Sequence, residues 1–273
     1  MKNSYNTSPF KWAGSKAKVL PILLPILEKH KRKNFAEPFV GAGNVSMNFA
    51  AHQYYLNDIN SDLIASLYGL INNPCKFIDD ARTLFVNDGY EKFLENRMKF
   101  NSMDDIQKLL NPALFLYLNK HCFNGLCRYN SKGQFNVPIG KSISAPSVPE
   151  TNIKTMAVVL QGRSELSSIE YEKFMSNMDL VDDLLIYCDP PYVPLTSNFK
   201  YSANDYTLED HKKLKQLAVD SNHTVVLSNH WTEFTEELYS DATEIHTFDI
   251  QRTISRDGDE RKKVKECIVV YKK

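Results

Sequence analysis

Leu184-Leu185-Ile186-Tyr187-Cys188-Asp189-Pro190-Pro191-Tyr192 joins an unbroken apolar run to an acid, two prolines and a tyrosine. The apolar part, partly β-branched, predicts a buried strand. A polar loop, Val193–Asn204, follows it. A carboxylate at the carboxyl end of a buried strand stands where open α/β sheets carry their chemistry. The prolines stiffen the turn and donate no backbone hydrogen bonds. The Asp189 side chain and the Pro190 carbonyl are therefore two acceptors, and Tyr192 adds a flat face. This set suits an exocyclic NH2 on a planar base, with each N–H accepted and the ring stacked. A D-P-P turn beside a core tyrosine is the plain alternative, and the rest of the chain separates the two.

Working outward, Asn34–Phe39 predicts another strand, running into Gly41-Ala42-Gly43. Asn44 is positioned to cap a helix over Val45–Ala51. Strand, glycine turn and helix together let a ligand approach backbone amides. The next strand, Tyr54–Asn57, ends at Asp58, about the distance at which an acidic residue meets ribose hydroxyls. The third glycine of the dinucleotide pattern is missing, because Asn44-Val45-Ser46 follows. That argues for a nucleoside-type ligand needing ribose contacts but no phosphate cradle, and S-adenosylmethionine (AdoMet) is one. An ordinary βαβ turn stays open as the other reading. Upstream, Phe10–Lys16 is a small-residue turn before an amphipathic helix over Val19–Lys29. Lys16 near its amino end, where the dipole disfavours a cation, hints at an anionic ligand.

From Ser61 to about His121 the α/β alternation stops. Helical segments are expected at Ser61–Ile71, Lys76–Phe85, Tyr90–Phe100 and Ala113–His121, which reads as an inserted helical unit. In Phe123–Pro138, Ser131-Lys132-Gly133 sits between two short β-like runs and predicts a hairpin. A ribbon bearing arginine, lysine, asparagines and aromatics can enter a DNA major groove; a plain surface hairpin is the alternative. Ser142–Glu150 is a Ser/Pro linker. Beyond it we expect a helix over Glu150–Arg163 and a short strand over Ser167–Glu170. Thr207–Asp210 resembles a capping box for a helix ending near Asp220. A strand over Thr224–Ser228, a helix over Glu233–Tyr239 and a closing hairpin, Glu244–Ile250 with Val264–Tyr271, complete the chain. Arg256–Lys263 would form its basic tip.

The bulk figures exclude several classes. The chain has 273 residues, formal charge zero and the composition of a soluble globular protein. The five cysteines form no C-x-x-C pair, so neither a zinc site nor a disulfide framework is indicated, and a reducing cytoplasm is expected. No apolar run approaches a membrane span, and no signal h-region is present.

Five segments occur in order: Lys11-Trp12-Ala13-Gly14-Ser15-Lys16, Glu37-Pro38-Phe39-Val40-Gly41-Ala42-Gly43, Asn57-Asp58-Ile59-Asn60, Asn124–Asn130 and Asp189-Pro190-Pro191-Tyr192. In this combination the chain resembles the Dam-type DNA adenine-N6 methyltransferase family, whose substrate is GATC. The resemblance runs from Phe10 to Tyr271. D-P-P-Y alone is shared by several amino-methyltransferases; the asparagine-to-asparagine hairpin motif is far more specific.

The resemblance implies an α/β fold: a Rossmann-like AdoMet-dependent methyltransferase sheet, residues 1–60 and 148–273, holding an inserted helical target-recognition domain, residues 61–147, with a β-hairpin. It implies a catalytic turn of Asp189, Pro190, Pro191 and Tyr192. AdoMet would meet Trp12, Lys16, Phe39, Asp58, Tyr171 and Asp189, over the Gly41 and Gly43 turn. Lys11, Leu126, Arg128 and Pro138 match base-reading positions, Phe123 an aromatic inserted into the base stack, and Asn124 a backbone contact. The expected partner is double-stranded DNA, with no metal, no membrane and no obligate protein partner. Three departures are visible: Ser15 where glycine is frequent, Phe123 where some members have tyrosine, and Lys141-Ser142 where some have an aromatic. Two competing readings remain. One is an amino-methyltransferase acting on RNA or a protein glutamine, which usually carries Asn before P-P-Y. The other is a non-enzymatic DNA-binding module on the same fold.

Overall fold

The computed structural model describes residues 5–86, 89–141, 146–195, 206–251 and 263–273. Seven strands form one sheet: β1 (Asn34–Glu37), β2 (Gln53–Asn57), β3 (Ser164–Ser167), β4 (Leu184–Cys188), β5 (Thr224–His230), β6 (Glu244–Gln251) and β7 (Lys263–Tyr271). Their order is β3-β2-β1-β4-β5-β7-β6. The first five are parallel, while β7 runs antiparallel to both β5 and β6. Both β1 and β4 are central, and each is stopped by a proline that cannot serve the ladder, Pro38 and Pro190. The order of connection reverses between these two strands, which is where such sheets leave a crevice at their carboxyl ends.

The period-2 alternation of β4 builds two cores. Leu185 and Tyr187 join the core that holds Phe35, Tyr54, Leu56, Val226 and Ile268. Leu184, Ile186 and Cys188 join the opposite one, with Ala36, Val225, Leu227 and Val269. Every β4 residue is buried, as a central parallel strand requires. Helix α1 (Leu20–Lys29) covers the first face with Leu20, Leu23 and Leu27, each fully buried and each worth roughly 1.5–3 kcal/mol over exposure. Helices α2 (Ser61–Asn72), α3 (Pro74–Phe85), α4 (Tyr90–Asn101), α5 (Asp105–Leu110) and α6 (Ala113–His121) follow β2 directly. Except for α5, which buries no residue, they extend that same core, as does α7 (Glu150–Leu160). On the second face lie α8 (Tyr171–Met178) and α9 (Leu208–Asp220), and Tyr239 at the end of α10 (Glu233–Leu238). With helices on both faces, the fold is a Rossmann-like α/β sheet.

Thr207 caps α9, its hydroxyl accepting from the Asp210 amide while the Asp210 carboxylate accepts from the Thr207 amide. That is the expected capping box. Three expectations need correction. Val45–Ala51 is a run of turns, not a helix: the Asn44 Oδ1 accepts from the Ser8 amide and the Ser46 amide goes to Glu37 Oε2 at 3.0 Å, so the first-turn groups are spent on tertiary partners. The strand expected at Ser167–Glu170 lies at Ser164–Ser167, because β3 takes its register from β2 through Tyr54↔Ser164. The Phe123–Pro138 hairpin is held by isolated bridges, Cys122↔Ile139 and Tyr129↔Phe135, without a continuous ladder. The Gly133 amide donates to the Asn130 carbonyl at its tip, closing the expected turn. Most of the 193–204 loop and of the 256–263 tip lies outside the described residues.

Candidate active site

The crevice at the carboxyl ends of β1 and β4 is a cavity of about 1250 Å³. Several parts of the chain line it. The loops after β1 and β2 supply Phe39, Gly41, Asp58 and Ile59; the turn after β4 supplies Asp189, Pro190, Pro191 and Tyr192; the base of the hairpin supplies Asn124 and Leu126. Trp12 and Lys16 close it from the amino-terminal segment, and Tyr171 from the start of α8.

One buried asparagine builds the nucleoside-sized half. Asn57 Nδ2 donates to the carbonyls of Pro38 and Ile169, at 3.0 and 2.9 Å, and its Oδ1 accepts from the Ser167 hydroxyl and the Ile169 amide, at 2.8 and 3.0 Å. Its amide is saturated. It ties the turn carrying Phe39 to the loop that leads into α8 and its first residue, Tyr171; the Phe39 and Tyr171 ring centroids stand 5.4 Å apart. Tyr206 meets the Phe39 ring edge-on at 5.9 Å and adds a third wall. Asp58 accepts from the Gly41 and Asn60 amides, both at 3.0 Å. Burial raises its carboxyl above the ordinary range, and those two amides pull it back. Gly41 has φ +49°, and a Cβ there would lie 2.8 Å from Trp12 Nε1, so only glycine allows the indole this close.

At the other half Lys16 Nζ lies 2.7 Å from Asp189 Oδ1, donates to the Gly14 carbonyl at 3.0 Å, and stands 4.5 Å from the Tyr192 ring centroid. Burial pushes the Asp189 carboxyl up; the Lys16 ammonium and the Tyr192 hydroxyl lower it. Lys16 and Asp189, both expected on the cofactor, are thus paired within the same cavity. Glu37 lies behind it, fully enclosed and accepting from the Ser46 amide; burial, with Asp189 adding repulsion, takes its carboxyl to about 8.

Of the residues expected to meet DNA, Asn124 and Leu126 line the cavity, and Lys11, Phe123 and Pro138 lie against that same hairpin base. The Lys11 amide donates to Asn119 Oδ1 at 2.8 Å, and Asn119 Nδ2 returns to the Lys11 carbonyl at 2.7 Å. Lys11 crosses Gly125 so closely that a Cβ on the glycine would lie 2.2 Å from the lysine Cβ. Phe123 is 46% exposed and Leu126 37%, large apolar surfaces left open beside the cavity. The Phe123 amide donates to the Pro138 carbonyl, and Asn124 takes a left-handed φ of 54°. Arg128 lies farther along the hairpin, its Nε donating to Asn136 Oδ1 at 2.8 Å, and does not line the cavity.

Tyr206, Asn119 and the hydrogen-bonding role of Asn57 were not legible beforehand. Tyr206 carried one signal, an aromatic immediately before the Thr207 cap. The asparagines carried none, since their partners are remote in sequence.

A seven-stranded sheet of this order, with an acidic and aromatic cavity across its switch point, defines a Rossmann-like methyltransferase. Residues 12–254 match the model of the D12 class N6 adenine-specific DNA methyltransferases. The chain is 39% identical to the DNA adenine methylase of Escherichia coli K12, over 98% of this chain and 96% of that protein. It is 38% identical to the DNA adenine methylase of Vibrio cholerae, covering 96% and 94% of the two chains, and 38% to that of Serratia marcescens, covering 98% and 99%. The chain belongs to the D12 class N6 adenine-specific DNA methyltransferase family, and it is a site-specific DNA adenine-N6 methyltransferase using AdoMet. Among the described residues no helix is long and apolar enough to cross a membrane.

Proposed function

We propose that the chain methylates N6 of adenine in GATC within double-stranded DNA, on a base turned out of the helix into the cavity between Asp189 and Tyr192. The observation that carries this is the shared lining: the acidic turn, the Asp58 and Phe39 loops and the hairpin residues Asn124 and Leu126 all face one space. Its size and donor set fit AdoMet, with Asp58 available to ribose hydroxyls and Phe39, Tyr171 and Tyr206 to the adenine ring. When bound, AdoMet supplies an already activated sulfonium methyl.

The residues then have separate tasks. The adenine amino lone pair is delocalised into the ring and is a poor nucleophile. Asp189 and the Pro190 carbonyl accept its two N–H bonds and favour a more tetrahedral nitrogen. That interaction strengthens as positive charge develops on the nitrogen, so it acts on the transition state more than on bound substrate. Tyr192 stacks the ring, and Lys16 opposes the upward push of burial on the Asp189 carboxyl. Alignment is the protein's main contribution. Unstacking the base costs a few kcal/mol, and Phe123, filling the gap, offsets part of it. Lys11, Leu126, Arg128 and Pro138 read base edges; Asn124 contacts the backbone. Residues 61–147 serve as the recognition unit on a methyltransferase domain of residues 1–60 and 148–273. The work belongs in the compartment that holds the DNA, the cytoplasm of a bacterial cell.

The test is to incubate the protein with methyl-tritiated AdoMet and, separately, duplex DNA, RNA and protein. Label in adenine N6 of the duplex alone supports the proposal. Label in RNA or protein, or on cytosine, contradicts it.

A further inference from the structure

The acidic turn is poor in backbone donors. Pro190 and Pro191 have no N–H, so the first donors after Asp189 are the amides of Tyr192 and Val193. Val193 is gripped at both ends by consecutive side chains from the end of β5. Its amide donates to Asn229 Oδ1 at 3.0 Å, and its carbonyl lies 2.6 Å from His230 Nδ1. A carbonyl only accepts, so His230 carries a proton on Nδ1. The His230 ring also meets the Tyr192 ring edge-on, at 4.8 Å and 77°.

Asn229 is fully buried and its amide is saturated. Oδ1 accepts the Val193 amide and, at 2.8 Å, the His230 amide. Nδ2 lies 3.1 Å from the Tyr239 hydroxyl and 3.2 Å from His211 Nδ1. The ring nitrogen must then be the acceptor, which suits a histidine that burial pushes down to about 4 and so keeps neutral. An inverted amide would set its NH2 against two backbone N–H donors, so the network admits one orientation.

We propose that Asn229 and His230 are positioning residues for methyl transfer: through Val193 they fix the turn, and so the placement of Tyr192 and the Asp189 carboxylate against the target amino group. The inference rests on the assignment of Asp189 as the acceptor of that amino group. Neither residue lies within the turn; Asn229 acts from beneath it, while His230 also lines the cavity beside Tyr192, and the clamp acts on orientation, not on cofactor affinity.

The experiment compares single-turnover methylation of a GATC duplex, at saturating AdoMet, for two pairs of variants, with AdoMet affinity measured by calorimetry. Asn229→Leu removes every hydrogen bond at constant size. Asn229→Asp keeps the acceptor for both amides, its second oxygen facing a Tyr239 hydroxyl that can turn to donate and a neutral His211 that can carry its proton on Nδ1. Misplacement of reacting groups by about 1 Å costs about a hundredfold, so Asn229→Leu is expected to lose about that in rate and Asn229→Asp to return to within about tenfold. AdoMet affinity should stay within about threefold in both. His230→Phe keeps the ring against Tyr192 but not the donor; His230→Asn keeps a donor and should be the faster. This second pair decides the matter if Asn229→Leu does not fold. Equal rates within the pairs, a wild-type rate in Asn229→Leu, or loss confined to AdoMet affinity would overturn the clamp. Asp189→Ala, run alongside, separates the two readings: a normal rate there overturns the acceptor assignment itself.

Discussion

At the residue scale the site is a matter of which groups are charged. In the proposed function Asp189 accepts hydrogen bonds from the target amino group, which calls for its carboxylate form. Burial raises its pKa and Lys16 opposes that, so removing the ammonium lets the pKa climb further. The acid limb of the rate against pH should therefore move to higher pH in Lys16→Met; a limb that stays in place or moves down refutes the role given to Lys16. Asp58 makes a separate case. Its carboxylate already holds two amides and has capacity left for ligand hydroxyls. Losing a charge-assisted hydrogen bond is worth roughly 1.5–3 kcal/mol, so Asp58→Ala should weaken AdoMet about tenfold or more while affinity for duplex DNA holds. Unchanged AdoMet binding in a folded variant, measured by calorimetry, would remove Asp58 from the ligand.

At the element scale the proposed function divides the work, giving base reading to the hairpin and chemistry to the sheet ends. Arg128 presents a planar fork that matches O6 and N7 of guanine. Replacing it by alanine should cost about 1–3 kcal/mol on GATC and relax discrimination at one outer base pair, whereas a lost phosphate contact would weaken every sequence alike and reduce the salt slope by about one. Methylation of GATC and its single-base variants at several salt concentrations tells these apart. The elements themselves were unevenly legible. β4 was readable because a central strand is apolar throughout and proline ends it. The capping box of α9 was readable because its partners are three residues apart. The segment after Gly43 was not: its helix signals were local, and Ser8, 36 residues from Asn44, and Glu37, nine from Ser46, outcompeted them. Asn229 was opaque for the same reason, since its partner Val193 is 36 residues away.

At the scale of the whole molecule, one buried acid couples the active site to stability. The folded state keeps Glu37 protonated up to about 8, while the unfolded chain ionises near 4.5. Between those values the folded state binds the extra proton, so stability is fully present below about 4.5 and is lost as pH rises toward 8. Glu37→Gln retains the acceptor for the Ser46 amide and removes the titration. Its unfolding free energy should fall less than wild type's between pH 5 and 8, by an amount on the order of a few kcal/mol. Denaturant curves of equal pH dependence for both proteins would contradict this. The general architecture was visible in the sequence because strand, glycine turn and acidic strand end recur in order. What tertiary neighbours impose, the Lys16–Asp189 pair and the Asn57 and Asn229 hubs, was not.

Everything proposed above turns on Asp189 and its turn receiving an adenine from GATC. The most direct measurement maps methylated bases, by single-molecule sequencing, in DNA from a methylation-free host expressing either the wild-type chain or Asp189→Ala. N6-methyladenine is expected at GATC adenines with the wild-type chain and none with Asp189→Ala, although the variant folds and remains soluble. Methylation at other sites with the wild-type chain, or undiminished GATC methylation with Asp189→Ala, would contradict it.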